Sequence, residues 1–263
     1  TGTALLFAAS TVVQRGVHED LPPFGATFWR WFLAALVLLP IVWRELPSKR
    51  ALIKENWHLI LLLGFLLVGS SAVLFLGLNF TTAINGSLIN ASQPALTVLP
   101  AWLLSRDRIT TGQSIGILAA LGGIFVMVSQ GNLVVLLALE FNVGDILALA
   151  AILGWTIYAT SLHRLPSELG FSVTLFVIFL AGSLSVLPFY IIESAFFRPM
   201  PLSVSAAGII AFLGIVTSLG GMAMWNAALR TVGPNRATIF LNLVPVFGVS
   251  LAEKFGLQNR KFR

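Results

Sequence analysis

Stretches of mostly apolar residues recur along nearly the whole chain, and they constrain its fold more than any other feature. A helix needs about 20 such residues to cross a bilayer. Nine stretches qualify or come close, at about 2–14, 25–43, 57–78, 83–104, 112–130, 144–162, 171–192, 206–228 and 233–252. Only 10% of the residues are charged, against about 25% in a soluble domain. This number of charges is too small to cover a water-exposed surface. The sequence therefore predicts an all-α polytopic membrane protein embedded in the lipid bilayer.

Basic residues are divided unevenly between the two sets of alternate loops. One set holds nine of them: Arg44, Lys49, Arg50, Lys54, Arg106, Arg108, Arg164, Arg230 and Arg236. The other set holds two before the C-terminal tail, Arg15 and Arg198. Cytoplasmic loops carry the excess of Lys and Arg in membrane proteins, which predicts a cytoplasmic N-terminus. The net charge of +6 is thereby explained as a topology signal, and no nucleic-acid partner is expected.

The two ends of the chain depart from a regular span pattern. About a dozen apolar residues precede Gln14, without the basic region of a signal peptide, so we expect a first span whose start is missing. After nine spans the basic tail would lie outside the cell, against the charge rule. One more span would return it to the cytoplasm. The sequence therefore predicts ten spans, of which the tenth is not recognisable.

Two segments of the chain align with later ones at nearly constant offsets. Residues 28–40 align with 176–188, and residues 78–98 align with 229–249. The alignments place Pro40 against Pro188, and Pro94 against Pro245. The alternative is a chance match between apolar helices. A true repeat predicts two domains, 1–130 and 131–263, each with five spans. An odd number inverts the second half, which is an architecture of many secondary transporters.

The motifs within these segments resemble a known family. They are the stretch 83–96 followed by Arg106-Asp107-Arg108, its partner 233–247, and the run 28–35 around Arg30. Together they resemble the two EamA repeats of the drug/metabolite transporter superfamily. The resemblance implies ten helices and the export of small metabolites, as in the bacterial amino-acid exporters of that superfamily. The sequence departs from the pattern at Ala8-Ala9, where a Trp-Gly pair is usual, and in its missing tenth helix.

Arg30 is the one ionisable residue that lies clearly inside a predicted span. Such residues are costly in a bilayer and mark functional sites. Arg30 could attract a substrate carboxylate or phosphate, or it could tie helix ends together. No Asp or Glu lies well within a predicted span, and the three histidines lie at span edges or in loops. This pattern favours facilitated diffusion or exchange over a buried carboxylate relay. With no cysteine either, we expect no enzyme activity, no metal site and no cofactor.

Amide side chains and prolines occur together in the fourth and ninth spans. Asn90 lies on one helical face with Ser87, Pro94 and Thr97, beside Gln93, and Asn242 precedes Pro245 in the ninth span. A proline frees a backbone carbonyl four residues earlier, so we expect kinked helices whose amides face a cavity. The alternative is that these polar side chains only bind neighbouring helices together. Gln14, in the first span, is a further candidate for the cavity lining.

Aromatic residues supply the remaining candidates. Trp155 and Tyr158 lie three residues apart inside the sixth span, and Trp225 lies in the eighth. Aromatic faces together with amides can bind an amphipathic ligand, although simple packing is an equal alternative. In exporters of aromatic substrates that resemble this chain, an aromatic residue would be expected at the position of Gln93. The glutamine favours a broad or polar substrate range.

These observations favour a secondary transporter of the bacterial inner (plasma) membrane that exports small metabolites, most plausibly amino acids. We expect alternating access around a cavity lined by spans one, two, three, four, six, eight and nine. A nucleotide-sugar or sugar-phosphate carrier is the first alternative, and it would require Arg230 and Arg236 to face inward. A structural or regulatory membrane protein is the second. The sequence leaves the exact substrate, the coupling ion and the oligomeric state open.

Overall fold

The helices of this chain follow its apolar stretches. The computed structural model describes residues 2–17, 20–77, 92–100 and 142–254, together with isolated positions between 79 and 122. Within these residues all regular structure is helical. The elements are α1 (Gly2–Val17), α2 (Pro23–Val42), α3 (Leu46–Glu55), α4 (Trp57–Gly77), α5 (Gln93–Pro100), α6 (Val143–Ser161), α7 (Phe171–Phe196), α8 (Val204–Val232), α9 (Pro234–Ile239) and α10 (Leu243–Lys254).

Five helices of the described residues are long and apolar enough to cross a membrane: α2, α4, α6, α7 and α8. They coincide with predicted spans two, three, six, seven and eight. Large apolar side chains such as Leu62, Leu184 and Ile191 are about half exposed on their outer faces, where lipid can contact them. The predicted all-α polytopic fold is therefore confirmed. The short helix α3 was not predicted; none of its side chains is buried.

Local sequence explains where several helices begin. The first residue of α2 is Pro23, and proline suits this position because its missing N–H would have no helical partner. The start of α6 is a capping box, in which Asp145 accepts a hydrogen bond from the N–H of Asn142 and the Asn142 side chain accepts one from the N–H of Asp145. The Ser203 side chain likewise accepts a hydrogen bond from the N–H of Ala206 at the start of α8.

Helices α2 and α7, which the repeat alignment pairs, pack against each other in antiparallel directions. Near the start of α2, Phe24 stacks on Phe189 with ring centroids 5.6 Å apart. Farther along, Trp31 meets the ring of Phe179 at 4.9 Å. Residue numbers thus rise along one helix as they fall along the other. An inverted repeat requires this direction of packing for its matching second helices.

Helices α4 and α8 contain π-helical segments at matching positions. The segment of α4 is Phe65–Gly69 and that of α8 is Phe212–Gly220. Each follows eight residues of regular α-helix, Trp57–Gly64 and Val204–Ala211. The helices and their π segments begin 147 positions apart, close to the offset of the repeat. Because π-helical turns are rare and frequently lie at functional sites, this pair draws attention to the space between α4 and α8.

The proline-containing spans are broken rather than kinked. A turn at Ser92 precedes α5, so Pro94 is the second residue of a new helix. In the ninth span, a 3-10 turn, Phe240–Asn242, separates α9 from α10, and Pro245 is the third residue of α10. A proline within the first turn of a helix removes no helical hydrogen bond. At both prolines the described residues therefore show the first turn of a helix and not the predicted mid-helix kink.

Candidate functional site

A central cavity of about 160 Å³ lies among the helices. Its described lining residues come from α1, α2, α4, α5, α6, α8 and the chain around residues 241–244, with Ile89 beside α5. These belong to the seven spans that we expected to surround a cavity. An apolar cavity of about 150 Å³ accommodates a molecule of the size of benzene. The space therefore suits a small solute.

Arg30 supplies the charge of this cavity. It lies seven residues after the start of α2, so about 10 Å along the helix, and it is only 8% exposed. Its Nε donates a hydrogen bond of 2.7 Å to Oγ of Ser218 in the π segment of α8. A Cβ at Gly214 would lie 2.7 Å from the carbonyl oxygen of Arg30. Glycine at that position therefore allows α8 to approach α2 closely enough for the bond.

Two pairs of adjacent hydroxyl residues line the cavity from opposite repeats. They are Ser70-Ser71, directly after the π segment of α4, and Thr217-Ser218, within the π segment of α8. Like the two helices, the pairs are 147 positions apart. The sequence analysis missed them, although adjacent hydroxyls at the repeat offset were a detectable signal. The Thr217 hydroxyl donates a hydrogen bond of 2.7 Å to the carbonyl of Leu213, which satisfies one backbone acceptor of the π segment.

Two of the predicted amides line the cavity as well. Gln14 of α1 donates from Nε2 to Oγ of Ser10 at 2.8 Å, and both residues face the cavity. Gln93, the first residue of α5, lines it and is 8% exposed. The predicted residue Asn90 lies outside the described residues. So does the side chain of Asn242, whose neighbours Leu241 and Val244 line the cavity.

The predicted aromatic residues divide between the wall of the cavity and the core behind it. Trp155 lines the cavity and meets Phe7 edge-on, with ring centroids 5.6 Å apart. Tyr158 and Trp225 are 0% and 2% exposed and do not line the central cavity. Tyr158 instead donates a hydrogen bond of 2.9 Å to Oδ1 of Asn226. Each helical residue advances by about 100°, so side chains three apart diverge by about 60°, which turns Tyr158 toward α8.

Carboxylates near the ends of the membrane helices are used at helix N-termini. Asp145 is fully buried but caps α6, as described above. Glu193, near the end of α7, accepts hydrogen bonds from the N–H groups of Phe24 at 3.2 Å and Gly25 at 2.8 Å. Among the described lining residues of the cavity, Arg30 is the one ionisable side chain. The described residues also contain no group of His, Asp and Glu that could hold a metal ion.

The fold and the cavity together define a class of protein. Membrane helices in matching halves that pack antiparallel around a central cavity are the architecture of secondary transporters. Comparison with protein families agrees: the EamA-like transporter family matches residues 1–129 and 142–256. The chain belongs to that family, and it is therefore a multi-pass membrane transporter of a small molecule.

Individual relatives extend this similarity over most of the chain. An uncharacterized transporter, YyaM, of Bacillus subtilis (strain 168) is 28% identical over 92% of this chain and 79% of its own length. An uncharacterized transporter of Archaeoglobus fulgidus is 24% identical over 93% of this chain and 83% of its own. One solved crystal structure superposes with a TM-score of 0.72 at 17% identity, covering 99% of this chain and 90% of that one. This last similarity supports the fold alone.

Proposed function

We propose that this transporter exports small metabolites with a single carboxylate, foremost amino acids, by alternating access. The observation that carries the proposal is the position of Arg30, a buried cation and the one ionisable side chain among the described residues that line a cavity of about 160 Å³. A guanidinium is planar and binds a carboxylate through two parallel hydrogen bonds. One such cation matches one carboxylate in a solute of this size.

The remaining lining residues are suited to the other parts of an amino acid. Nε of Arg30 donates to Ser218. The two terminal nitrogens of the guanidinium therefore supply the N–H groups that would bind the carboxylate. The hydroxyl oxygens of Ser71 and Thr217 are acceptors for an ammonium group, and the face of Trp155 can attract it as well. Apolar lining residues then contact the side chain of the substrate. This mixture of contacts supports a broad substrate range rather than one limited to aromatic amino acids.

The contact between the repeats supports alternating access. Arg30 belongs to the first repeat and Ser218 to the second, so their hydrogen bond joins the two repeats at the wall of the cavity. Rocking of the halves would change this contact, so the binding of a substrate carboxylate to Arg30 would depend on the relative position of the two halves. The carboxylates of Asp145 and Glu193 are engaged at helix N-termini. We therefore favour exchange or facilitated diffusion over a relay that uses a carboxylate in the cavity.

A sugar-phosphate or nucleotide-sugar substrate receives less support. A doubly charged phosphate requires more than one cation in the site. Arg230 and Arg236, the nearest candidates in the second repeat, are exposed and are not among the described lining residues. The guanidinium of Arg230 instead lies 5.6 Å from the ring of Phe171. The charge of the cavity thus favours a singly charged group.

We further propose that the protein resides in the inner (plasma) membrane of a bacterium with its N-terminus in the cytoplasm. The excess of basic residues in one set of loops supports this orientation. The chain has no cysteine, so single introduced cysteines report sidedness without background. In intact cells, a membrane-impermeant maleimide should label Phe197→Cys and not Arg50→Cys, both of which are exposed positions. Labelling of Arg50→Cys alone would show that the protein has the opposite orientation.

Counterflow in proteoliposomes tests the proposed function. Vesicles preloaded with one unlabelled amino acid should accumulate the same radiolabelled amino acid, whereas protein-free vesicles should not. Arg30→Gln should abolish this accumulation, and Arg50→Gln on the exposed helix α3 should leave it unchanged. Absence of counterflow for all twenty amino acids would refute the amino-acid proposal. Undiminished counterflow by Trp155→Ala would show that Trp155 does not contribute to substrate binding.

A further inference from the structure

Behind the wall of the central cavity, three buried nitrogen donors lie close together without acceptors. They are Nε1 of Trp155, Nε1 of Trp225 and Nδ2 of Asn226, and no described residue accepts a hydrogen bond from any of them. Trp225 and Asn226 are each 2% exposed. A buried polar group without a partner costs about 1–3 kcal/mol, and such groups are few in native proteins. Three in one cluster require a reason.

The cluster is continuous. The rings of Trp155 and Trp225 lie 5.8 Å apart at an angle of 35°, and Trp225 is followed directly by Asn226. Tyr158, whose ring is 5.9 Å from that of Trp155, donates its hydroxyl proton to Oδ1 of Asn226. That bond fixes the orientation of the amide, because its oxygen is occupied as an acceptor. Asn226 therefore has its NH₂ group free as a donor, like the two indole N–H groups.

These residues also separate two cavities. Trp155 lines the central cavity, and Trp225 lines a second one formed by the beginning of α1, the end of α8 and the chain around α9. Leu241 lines both, and the ring of Phe7 contacts both tryptophans, with centroid distances of 5.6 Å and 6.2 Å. Aromatic rings and Leu241 thus lie where the two cavities approach each other. In the orientation proposed above, the second cavity is on the cytoplasmic side.

From this arrangement we propose that Trp155, Trp225 and Asn226 form a second binding site for the substrate carboxylate, between the central cavity and the second one. The proposal rests on the proposed function, since it assigns a second station to the same substrate. Oxygen acceptors satisfy the orphaned donors, and the cluster has no described carboxylate that could repel an anion. A substrate on its way from the cytoplasm would bind here before its carboxylate transfers to Arg30. Neutral N–H donors bind it more weakly than the guanidinium does, which favours the transfer.

The test separates the N–H groups from the rings that carry them. Trp225→Phe retains an aromatic ring and removes the donor, and Asn226→Asp retains an acceptor for Tyr158 while replacing the NH₂ group with a negative charge. Trp225→Phe should raise the KM for amino-acid counterflow by about tenfold, the value of one hydrogen bond to a charged group. Asn226→Asp should raise it by more, because its charge also repels the substrate carboxylate. The matched control is Trp29→Phe, because the indole of Trp29 is 40% exposed and donates to the hydroxyl of Tyr190 outside the cavity. A KM unchanged by both cluster variants would overturn the proposal.

A second readout does not depend on amino-acid transport. In detergent micelles with ¹⁵N-labelled tryptophan, the indole N–H resonances of Trp155 and Trp225 can be assigned by their loss in the Trp→Phe variants. Titration with acetate should move both resonances downfield, whereas acetamide at the same concentrations should move them less, and the Trp29 resonance should stay in place. If no amino acid is transported but acetate moves these resonances, the proposed substrate fails while the site stands. If acetate moves neither resonance, the site is refuted even where transport occurs.

Discussion

Nε of Arg30 lies 2.7 Å from Oγ of Ser218, and this hydrogen bond joins residues 188 positions apart in the chain. The bond connects the second helix of the first repeat with the π segment of α8 in the second. It determines the direction of the guanidinium, because the arginine side chain is otherwise long and flexible. The cation of the described cavity lining is therefore positioned by the contact between the two halves.

Ser218→Ala should raise the KM for counterflow because Arg30 loses the acceptor that holds it in place. Loss of one hydrogen bond to a charged group corresponds to about 1.5–3 kcal/mol, so we expect an increase of about tenfold or more. Ser218→Thr should retain most of the affinity, since it keeps the hydroxyl. The matched control is Ser205→Ala at an exposed position of the same helix. Equal KM values for Ser218→Ala and the control would show that the bond does not position Arg30.

Gly64→Ala should destabilise the protein because α4 and α7 cross in direct contact at this residue. A Cβ at Gly64 would lie 2.5 Å from the backbone nitrogen of Gly182 and 2.8 Å from the carbonyl oxygen of Ile178. Backbone atoms cannot move aside as a side chain can, and overpacking of this kind costs about 1–3 kcal/mol. The expected lower melting temperature can be measured by thermal unfolding in detergent.

Gly208→Ala provides the comparison for that measurement. No atom lies within 4 Å of a Cβ at this position of α8, and alanine stabilises a helix by about 1 kcal/mol relative to glycine. The melting temperature of this variant should stay the same or rise. An equal loss in the two variants would show that the crossing of α4 with α7 is not the cause of the loss in Gly64→Ala.

Deletion of Val216 should abolish transport while the protein still inserts and folds. Val216 is 41% exposed within the π segment of α8, so its own side chain contributes little to the core. Removing one residue would either turn the two parts of α8 against each other by about 100° or, where the segment becomes α-helical, remove the π turns that carry Thr217 and Ser218. Thr217 and Ser218 could then no longer face the cavity together with Met222. Counterflow measures the loss, and size-exclusion chromatography in detergent reports the fold.

Deletion of Leu202 is the control for that experiment. This residue is fully exposed in the connection before α8, so its loss leaves the register within the helix unchanged. We expect normal counterflow from this variant. Normal counterflow from the Val216 deletion would instead show that the π segment has no role in transport.

Glu193→Gln should lower stability, because the carboxylate ties the end of α7 to the beginning of α2. It accepts hydrogen bonds from the N–H groups of Phe24 and Gly25, at the positive end of the α2 dipole. A glutamine offers one oxygen and no charge, so we expect a loss of about 0.5–2 kcal/mol. Thermal unfolding should show a lower midpoint for this variant. The midpoint of Glu55→Gln, whose side chain is exposed, should not change. Equal midpoints for both would mean that the carboxylate is not needed to hold these helices.

Those features that depend on neighbouring residues were predictable from the sequence. The boundaries of α2 and α7 follow from apolar length and from breakers such as Pro22-Pro23 and Pro166. Arg30 was a candidate because an ionisable residue within an apolar span is rare. Tyr158 and Trp225 were predicted to line the cavity, but their position behind its wall depends on which face of α6 meets α8. No local pattern contains that information.

The sequence by itself determined that the chain is helical, that it is embedded in a membrane, and that it consists of two similar halves whose spans contain little charge. These properties follow from composition, span length and repetition, each of which is a local or additive quantity. Only the tertiary structure decided that α4 and α8 carry matching π segments, that Ser218 holds Arg30, and that unpartnered donors gather around Trp225. Such features arise from close packing between helices that are far apart in the chain, where contacts of a few ångströms outweigh the preferences of single residues.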